Sequence, residues 1–117
     1  MGLFGKSKKE KFYDAQRNFD KVMQEKNMLP TLNQLGQIAN QPAESLERAW
    51  EMQMEMIKDT QPDHLEDYVL YWKDFAAEIT NYHNEVKRIQ GSAGPNLTTY
   101  YNAVNVIVRT IIANQYN

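Results

Sequence analysis

The feature that most constrains the fold is a repeat of large apolar residues in the segment between Pro62 and Gly91. Two series of apolar positions run through it, each with a spacing of seven and offset from the other by three: Leu65, Trp72, Ile79 and Val86, and Tyr68, Phe75, Tyr82 and Ile89. Because two turns of an α-helix take about seven residues, all eight side chains fall on one helical face. No proline or glycine interrupts the segment. The pattern predicts one long helix over 63–90 whose apolar seam, these eight residues, is covered by other parts of the chain.

The seam also indicates what covers it. Four of its eight positions are aromatic. Two-stranded coiled coils prefer aliphatic residues at such positions, since large rings do not fit their narrow interface. A globular bundle, in which several helices surround the seam, therefore fits these residues better.

Prolines and glycines divide the rest of the chain into shorter helices. Apolar residues at intervals of three and four predict a first helix over about 8–26, a short second helix after Pro30 and a third from about 42 to 59. Thr31 and Gln34 have the spacing of a capping box. On the third helix the apolar positions cover more than half of the circumference, so we expect this helix to be mostly buried, with a narrow acidic ridge outside.

The last segment, about 96–114, carries many β-branched residues, which favour a strand. A lone strand would have no pairing partner in a helical chain, so we expect a helix there. The fold class follows: all-α, an up-and-down helical bundle of four principal helices with the short second helix as a connector. We expect a flexible basic leader over residues 1–8 and a single domain over 9–117.

Composition and charge narrow the classes of function. The chain has 117 residues, no cysteine and a formal net charge of −2. The absence of cysteine excludes disulfides, thiolate chemistry and cysteine-ligated zinc. Nucleic-acid binding needs a basic surface, and the chain as a whole is net acidic, so no nucleic-acid partner is expected. The first residues turn basic at once, the reverse of the order in a signal peptide, and we expect a cytoplasmic protein.

Residue types that carry catalysis or bind metals lack the spacings that such sites need. His64 and His83 are the two histidines, and neither has a glutamate three residues before it or another histidine four residues away. The five glycines form no phosphate-binding loop. We therefore predict no catalytic residue, no cofactor and no metal, and a protein that is not an enzyme.

Four acidic residues lie four apart along the predicted third helix: Glu47, Glu51, Glu55 and Asp59. That spacing places them in one line on the helix surface. The line is either a docking surface for a partner or an ordinary solvated face. The first interpretation gives our leading hypothesis, a protein–protein interaction with an adaptor or inhibitor-like role, in which a second copy of the chain is one partner to consider.

Aromatic residues of the last two helices offer an alternative from another class of function. Tyr68, Trp72, Tyr82, His83 and Tyr101 would line a pocket for a small molecule if their side chains converge. The competing interpretation is that aromatic residues at such positions fill the core.

The N-terminal leader has two apolar side chains followed by a cationic cluster. Leu3 and Phe4 precede Lys6, Lys8 and Lys9. Apolar residues can enter a bilayer interface while lysines face anionic head groups, so the leader is a candidate for weak, peripheral membrane contact. The alternative is a frayed terminus that only aids solubility.

Overall fold

The computed structural model of the protein describes residues 5–116, which form five α-helices and no β-strand. The helices are α1 (Lys8–Glu25), α2 (Leu29–Ile38), α3 (Ala43–Thr60), α4 (Leu65–Gln90) and α5 (Pro95–Ala113), with a 3-10 turn at Pro62–His64 before α4. The predicted all-α helical bundle is confirmed, and so is the helical state of the last segment.

Helix α4 is the element that the seam predicted. Trp72, Phe75, Ile79, Val86 and Ile89 are buried, and the other three seam residues are half-buried. The helix ends at Gly91, whose φ of 85° lies in the left-handed region that glycine adopts without strain. The Gly91 N–H donates to the Lys87 carbonyl oxygen at 2.7 Å, which satisfies one of the last carbonyl groups of the helix.

Helices α1 and α5 pack closely on α4, helix α3 packs on it more lightly, and α5 also packs along α3. Two contacts show that α1 runs antiparallel to α4. Phe19 stacks on Tyr82 with ring centroids 4.3 Å apart, while Lys26, directly after α1, pairs with the earlier α4 residues Asp74 and Glu78. Trp50 of α3 meets Trp72 edge to face at 5.5 Å. The seam is therefore covered by three different helices.

Helix α2 is more than a connector, because it contributes to the core. Leu35 is fully buried. Thr31 shares a hydrogen bond of 2.5 Å with the Tyr71 hydroxyl, and a methyl group at Gly36 would lie only 2.9 Å from the Tyr100 hydroxyl. The glycine thus permits α2 to approach α5 closely.

The side-chain cap of a helix occurs at α1 and not at α2, where the sequence predicted one. The capping box predicted at Thr31 and Gln34 is wrong, since α2 begins earlier, at Leu29, and its N-cap residue Met28 makes no side-chain hydrogen bond. A side-chain cap occurs instead at α1, where the Ser7 hydroxyl accepts from the Glu10 N–H at 3.2 Å. Helix α1 accordingly begins at Lys8, inside the predicted leader.

Candidate functional site

The outward side of α3 exposes apolar side chains that the sequence placed in the interior. Leu46, Trp50, Met54 and Ile57 form the buried side of the helix. Met52 and Met56, one turn apart, are 67% and 50% exposed. The expectation of a mostly buried α3 is therefore wrong. The helix packs chiefly against α5 and more lightly against α4, so only one part of its wide apolar arc is covered.

Three of the four predicted ridge residues adjoin these methionines. Glu51, Glu55 and Asp59 are exposed and have no ion-pair partner within 4.0 Å in the described part of the chain. Glu47 differs, because it is half-buried and lies 4.0 Å from the Arg109 guanidinium of α5. Glu47 thus belongs to the α3–α5 contact. We call the remaining surface the α3 outer face: Glu51, Met52, Glu55, Met56 and Asp59.

Only three of the five residues predicted to contact a membrane lie in the described part of the chain. Leu3 and Phe4 lie outside the described residues. Lys6 pairs with Asp14, and this contact holds the pKa of the Asp14 carboxyl below its ordinary value. Lys8 and Lys9 are exposed on the first turn of α1. Lys6 is thus engaged along α1, and the Lys9 ammonium lies 5.9 Å from the centroid of the Tyr13 ring.

The five residues of the predicted aromatic pocket do not converge. Tyr68 and Trp72 line one cleft together. Tyr82 lies on the α1 side of α4, stacked on Phe19, and His83 stacks on Tyr101 of α5 with centroids 4.1 Å apart. Neighbouring residues of a helix point about 100° apart, so Tyr82 and His83 face different partners. The pocket predicted from these five residues is not formed as one site.

A cleft of about 560 Å³ does form between α2, α3 and α4, and we call it the aromatic cleft. Its walls combine four aromatic rings with uncharged polar side chains and two aliphatic ones: Trp50, Tyr68, Tyr71, Trp72, Thr31, Gln34, Gln41, Gln53, Ile38 and Ala49. Sequence reasoning missed Trp50 and the whole α2 wall. The available signal was that both tryptophans of the chain occur on adjacent predicted helices.

One buried polar group in the aromatic cleft lacks a hydrogen-bond partner within residues 5–116. Trp50 is 6% exposed, and its indole N–H is buried without a hydrogen-bond partner among residues 5–116. Burial raises the pKa of the Tyr68 hydroxyl, and the neighbouring N–H groups of Trp50 and Trp72 counter part of that rise. The Tyr68 oxygen is therefore close to both indoles, although no hydrogen bond of normal geometry forms with Trp50.

A second cleft, of about 480 Å³, lies between α1 and α4 around the Phe19–Tyr82 stack. Its lining includes five charged side chains, of which Glu85 and Arg88 pair with each other, while Asp14 and Glu78 pair with Lys6 and Lys26 outside it. Arg88 holds the pKa of the Glu85 carboxyl below its ordinary value. Nearby, Lys26 lies 2.8 Å from Asp74 and 2.6 Å from Glu78, which raise the pKa of the lysine. These groups are satisfied internally.

Charge is also separated along α4. The first turn of this helix carries Glu66 and Asp67, and the last turn carries Lys87 and Arg88. Lys11 of α1 lines the same cleft as Arg88, so the lysine-rich start of α1 lies at the C-terminal end of α4. Acidic and basic groups thus occupy opposite ends of the helix.

Across residues 5–116, no three histidine, aspartate or glutamate side chains lie close enough together to hold a metal ion. Within the same range no helix has the length and apolar character needed to cross a bilayer. Comparison with known proteins finds no family model, no curated protein and no solved structure that matches the chain.

Proposed function

We propose that the protein is a non-enzymatic interaction module that binds a protein partner through the α3 outer face. The observation that carries the proposal is the exposure of Met52 and Met56 beside buried neighbours on the same helix. Unbranched thioether side chains adapt to varied partner surfaces, and methionine is enriched in the cores of protein interfaces.

The charges of this face indicate the chemistry of the partner. Glu51, Glu55 and Asp59 border the methionines and have no ion-pair partner of their own in the described range. A partner segment with apolar side chains and flanking lysines or arginines would cover both features, as an amphipathic basic helix does. Two copies of the chain that met through this face would bring carboxylates together, so the charges favour a different protein over a second copy.

The other predictions about the cellular role stay predictions. A cytoplasmic location and a weak membrane contact through the leader rest on the sequence and on the exposed Lys8 and Lys9. Both are compatible with a partner bound on α3, because Lys8 and Lys9 lie on a different helix, α1.

A photo-crosslinking experiment tests the proposal in the native host. A benzophenone amino acid replaces Met52 in one protein and Leu70, an exposed α4 residue, in another. We expect a discrete adduct with a protein partner from position 52 and none from position 70. The purified partner should bind less tightly as salt rises from about 50 to 500 mM, because exposed charges are screened.

Two charge reversals of equal size separate the α3 face from the rest of the surface. Glu55→Lys should lower the yield of the position-52 adduct about tenfold, which corresponds to about 1.4 kcal/mol. Asp20→Lys, an exposed reversal on α1, should leave the yield unchanged. Equal losses in both variants, or the same adducts from positions 52 and 70, would contradict the proposal.

A further inference from the structure

The walls of the aromatic cleft include one buried polar group, the Trp50 N–H, that has no hydrogen-bond partner in residues 5–116. No charged side chain lines it within the described chain. Its volume of about 560 Å³ lies in the range typical of small-molecule sites, which are mostly apolar with a few placed polar groups. The charged cleft between α1 and α4 has similar size, but four of its five charged side chains already have ion-pair partners.

The aromatic cleft contains a buried hydrogen-bond donor that no acceptor satisfies in residues 5–116. An indole nitrogen donates a hydrogen bond and cannot accept one. The Trp50 N–H is left without an acceptor in residues 5–116, although the Tyr68 hydroxyl is near enough for this N–H to lower its pKa. A buried donor without an acceptor is unfavourable, and most proteins satisfy such groups. The Trp50 N–H is therefore the group in this cleft that an acceptor atom of a ligand would satisfy.

The cleft walls are held in place by contacts between helices. Thr31 of α2 and Tyr71 of α4 share a hydrogen bond, and Trp50 packs edge to face on Trp72. Gln34 and Gln41 are exposed, and Gln53 is half-exposed, so amide groups surround the opening. Flat rings stack well on aromatic side chains, and amides provide both donors and acceptors for the polar edge of a ligand.

We propose that the aromatic cleft binds an uncharged, flat ring compound whose carbonyl-type acceptor receives the Trp50 N–H. The ring lies against the aromatic walls, with its acceptor directed to the Trp50 indole. An ionised ligand is disfavoured because the cleft offers no opposite charge and burying an unpaired charge is costly. The site shares no residue with the α3 outer face, so this inference and the proposed function can fail independently.

Nuclear magnetic resonance of the full chain, labelled with 15N, tests this directly. The chain has two tryptophans, and both line the cleft, so the two indole N–H signals report on the site alone. The probes are three related fused-ring compounds: coumarin, which is neutral and has a carbonyl; chroman, which lacks the carbonyl; and coumarin-3-carboxylate, which is an anion. The Trp50→Phe variant identifies the Trp50 signal.

We expect coumarin to shift the Trp50 N–H signal downfield as the hydrogen bond forms. Its dissociation constant should be about tenfold lower than those of chroman and the carboxylate, the ratio that one ordinary hydrogen bond supplies. Trp50→Phe should remove the advantage of coumarin over chroman. Failure of coumarin to move either indole signal up to 10 mM, or equal binding of all three probes, would overturn the inference, with 10 mM taken as roughly the weakest affinity worth calling a site.

A second variant pair keeps the test decisive if Trp50→Phe fails to fold. Ala49 is exposed at the cleft opening, and Ala49→Phe should fill the cleft and abolish coumarin binding. Ala77→Phe adds the same ring to an exposed position of α4 that does not line the cleft, and should bind coumarin normally. Undiminished coumarin binding by Ala49→Phe would place the probe elsewhere and refute the assignment.

Discussion

Truncation of Ile79 to alanine is the sharpest test of the packing around α4. Ile79 is a seam residue with 0% exposure, and its side chain lies in the main core. Removing a fully buried isoleucine costs the transfer free energy of the lost carbons plus a cavity term, about 3–4 kcal/mol in a core that cannot collapse. Leu70→Ala on the same helix is the matched control. Leu70 is 54% exposed, so about half of its transfer free energy is at stake, or about 1 kcal/mol.

Thermal unfolding followed by circular dichroism measures the difference. A domain of 117 residues has an unfolding entropy of about 250 cal/mol/K near 60 °C. Ile79→Ala should therefore lower Tm by about 12–16 °C and Leu70→Ala by about 4 °C. Urea titration at 25 °C checks the free energies independently.

The result that would refute this reasoning is a small or equal effect. A loss below about 1 kcal/mol for Ile79→Ala would mean that the seam is not packed in solution, because no fully buried isoleucine is removed so cheaply. Equal losses for both variants would mean that α4 presents no distinct buried face. Either outcome would also contradict the aromatic cleft, because its walls form only where α2 and α3 lie beside α4.

Two further predictions concern single polar groups. Ser7→Ala removes the side-chain cap of α1 and should lower the free energy of unfolding by about 1 kcal/mol. Ser92→Ala, in the exposed loop before α5, should change it by less than about 0.5 kcal/mol. Equal losses of stability in the two variants, measured by calorimetry, would contradict the cap. Because burial raises the pKa of Tyr68, the folded state keeps this proton above pH 10, where the unfolded chain begins to lose it. The associated stability is complete below about pH 10 and is lost as pH rises through the raised pKa. Urea midpoints measured from pH 8 to 11 should therefore fall less steeply for Tyr68→Phe than for the unmodified protein. Equal pH dependence of the two midpoints would argue against a buried hydroxyl.

Helix α4 could be predicted from the sequence because its pattern is local and redundant. Eight apolar positions at regular spacing agree on one face, and no breaker falls among them. A single misread residue would not have changed the prediction. Burial of Phe75 and Ile79 in the core follows from the same regularity.

Helix α3 could not be predicted equally well, since its apolar residues cover too wide an arc to select one side. Which part of that arc is covered depends on how many helices pack against α3, and a sequence pattern does not contain that number. Met52 and Met56 fall on the uncovered part. Their exposure is a property of the arrangement of helices, and the residues themselves carry no sign of it.

The aromatic cleft lay partly within reach of sequence reasoning. Tyr68 and Trp72 of the predicted set do line the cleft, whereas Tyr82 and His83 stack on residues of α1 and α5. Trp50 joins Trp72 only because α2 and α3 pack back onto α4. Such contacts between distant parts of the chain leave no periodic signal.

The separation of charge along α4 has a consequence for how the molecule meets others. Twenty-six residues at 1.5 Å each put the acidic and basic ends about 39 Å apart. Counter-ions in physiological salt screen a charge within about 8 Å, so neither end feels the field of the other. A molecule approaching the lysine-rich end encounters a cationic protein, and one approaching the opposite end encounters an anionic protein, despite the net charge of only −2.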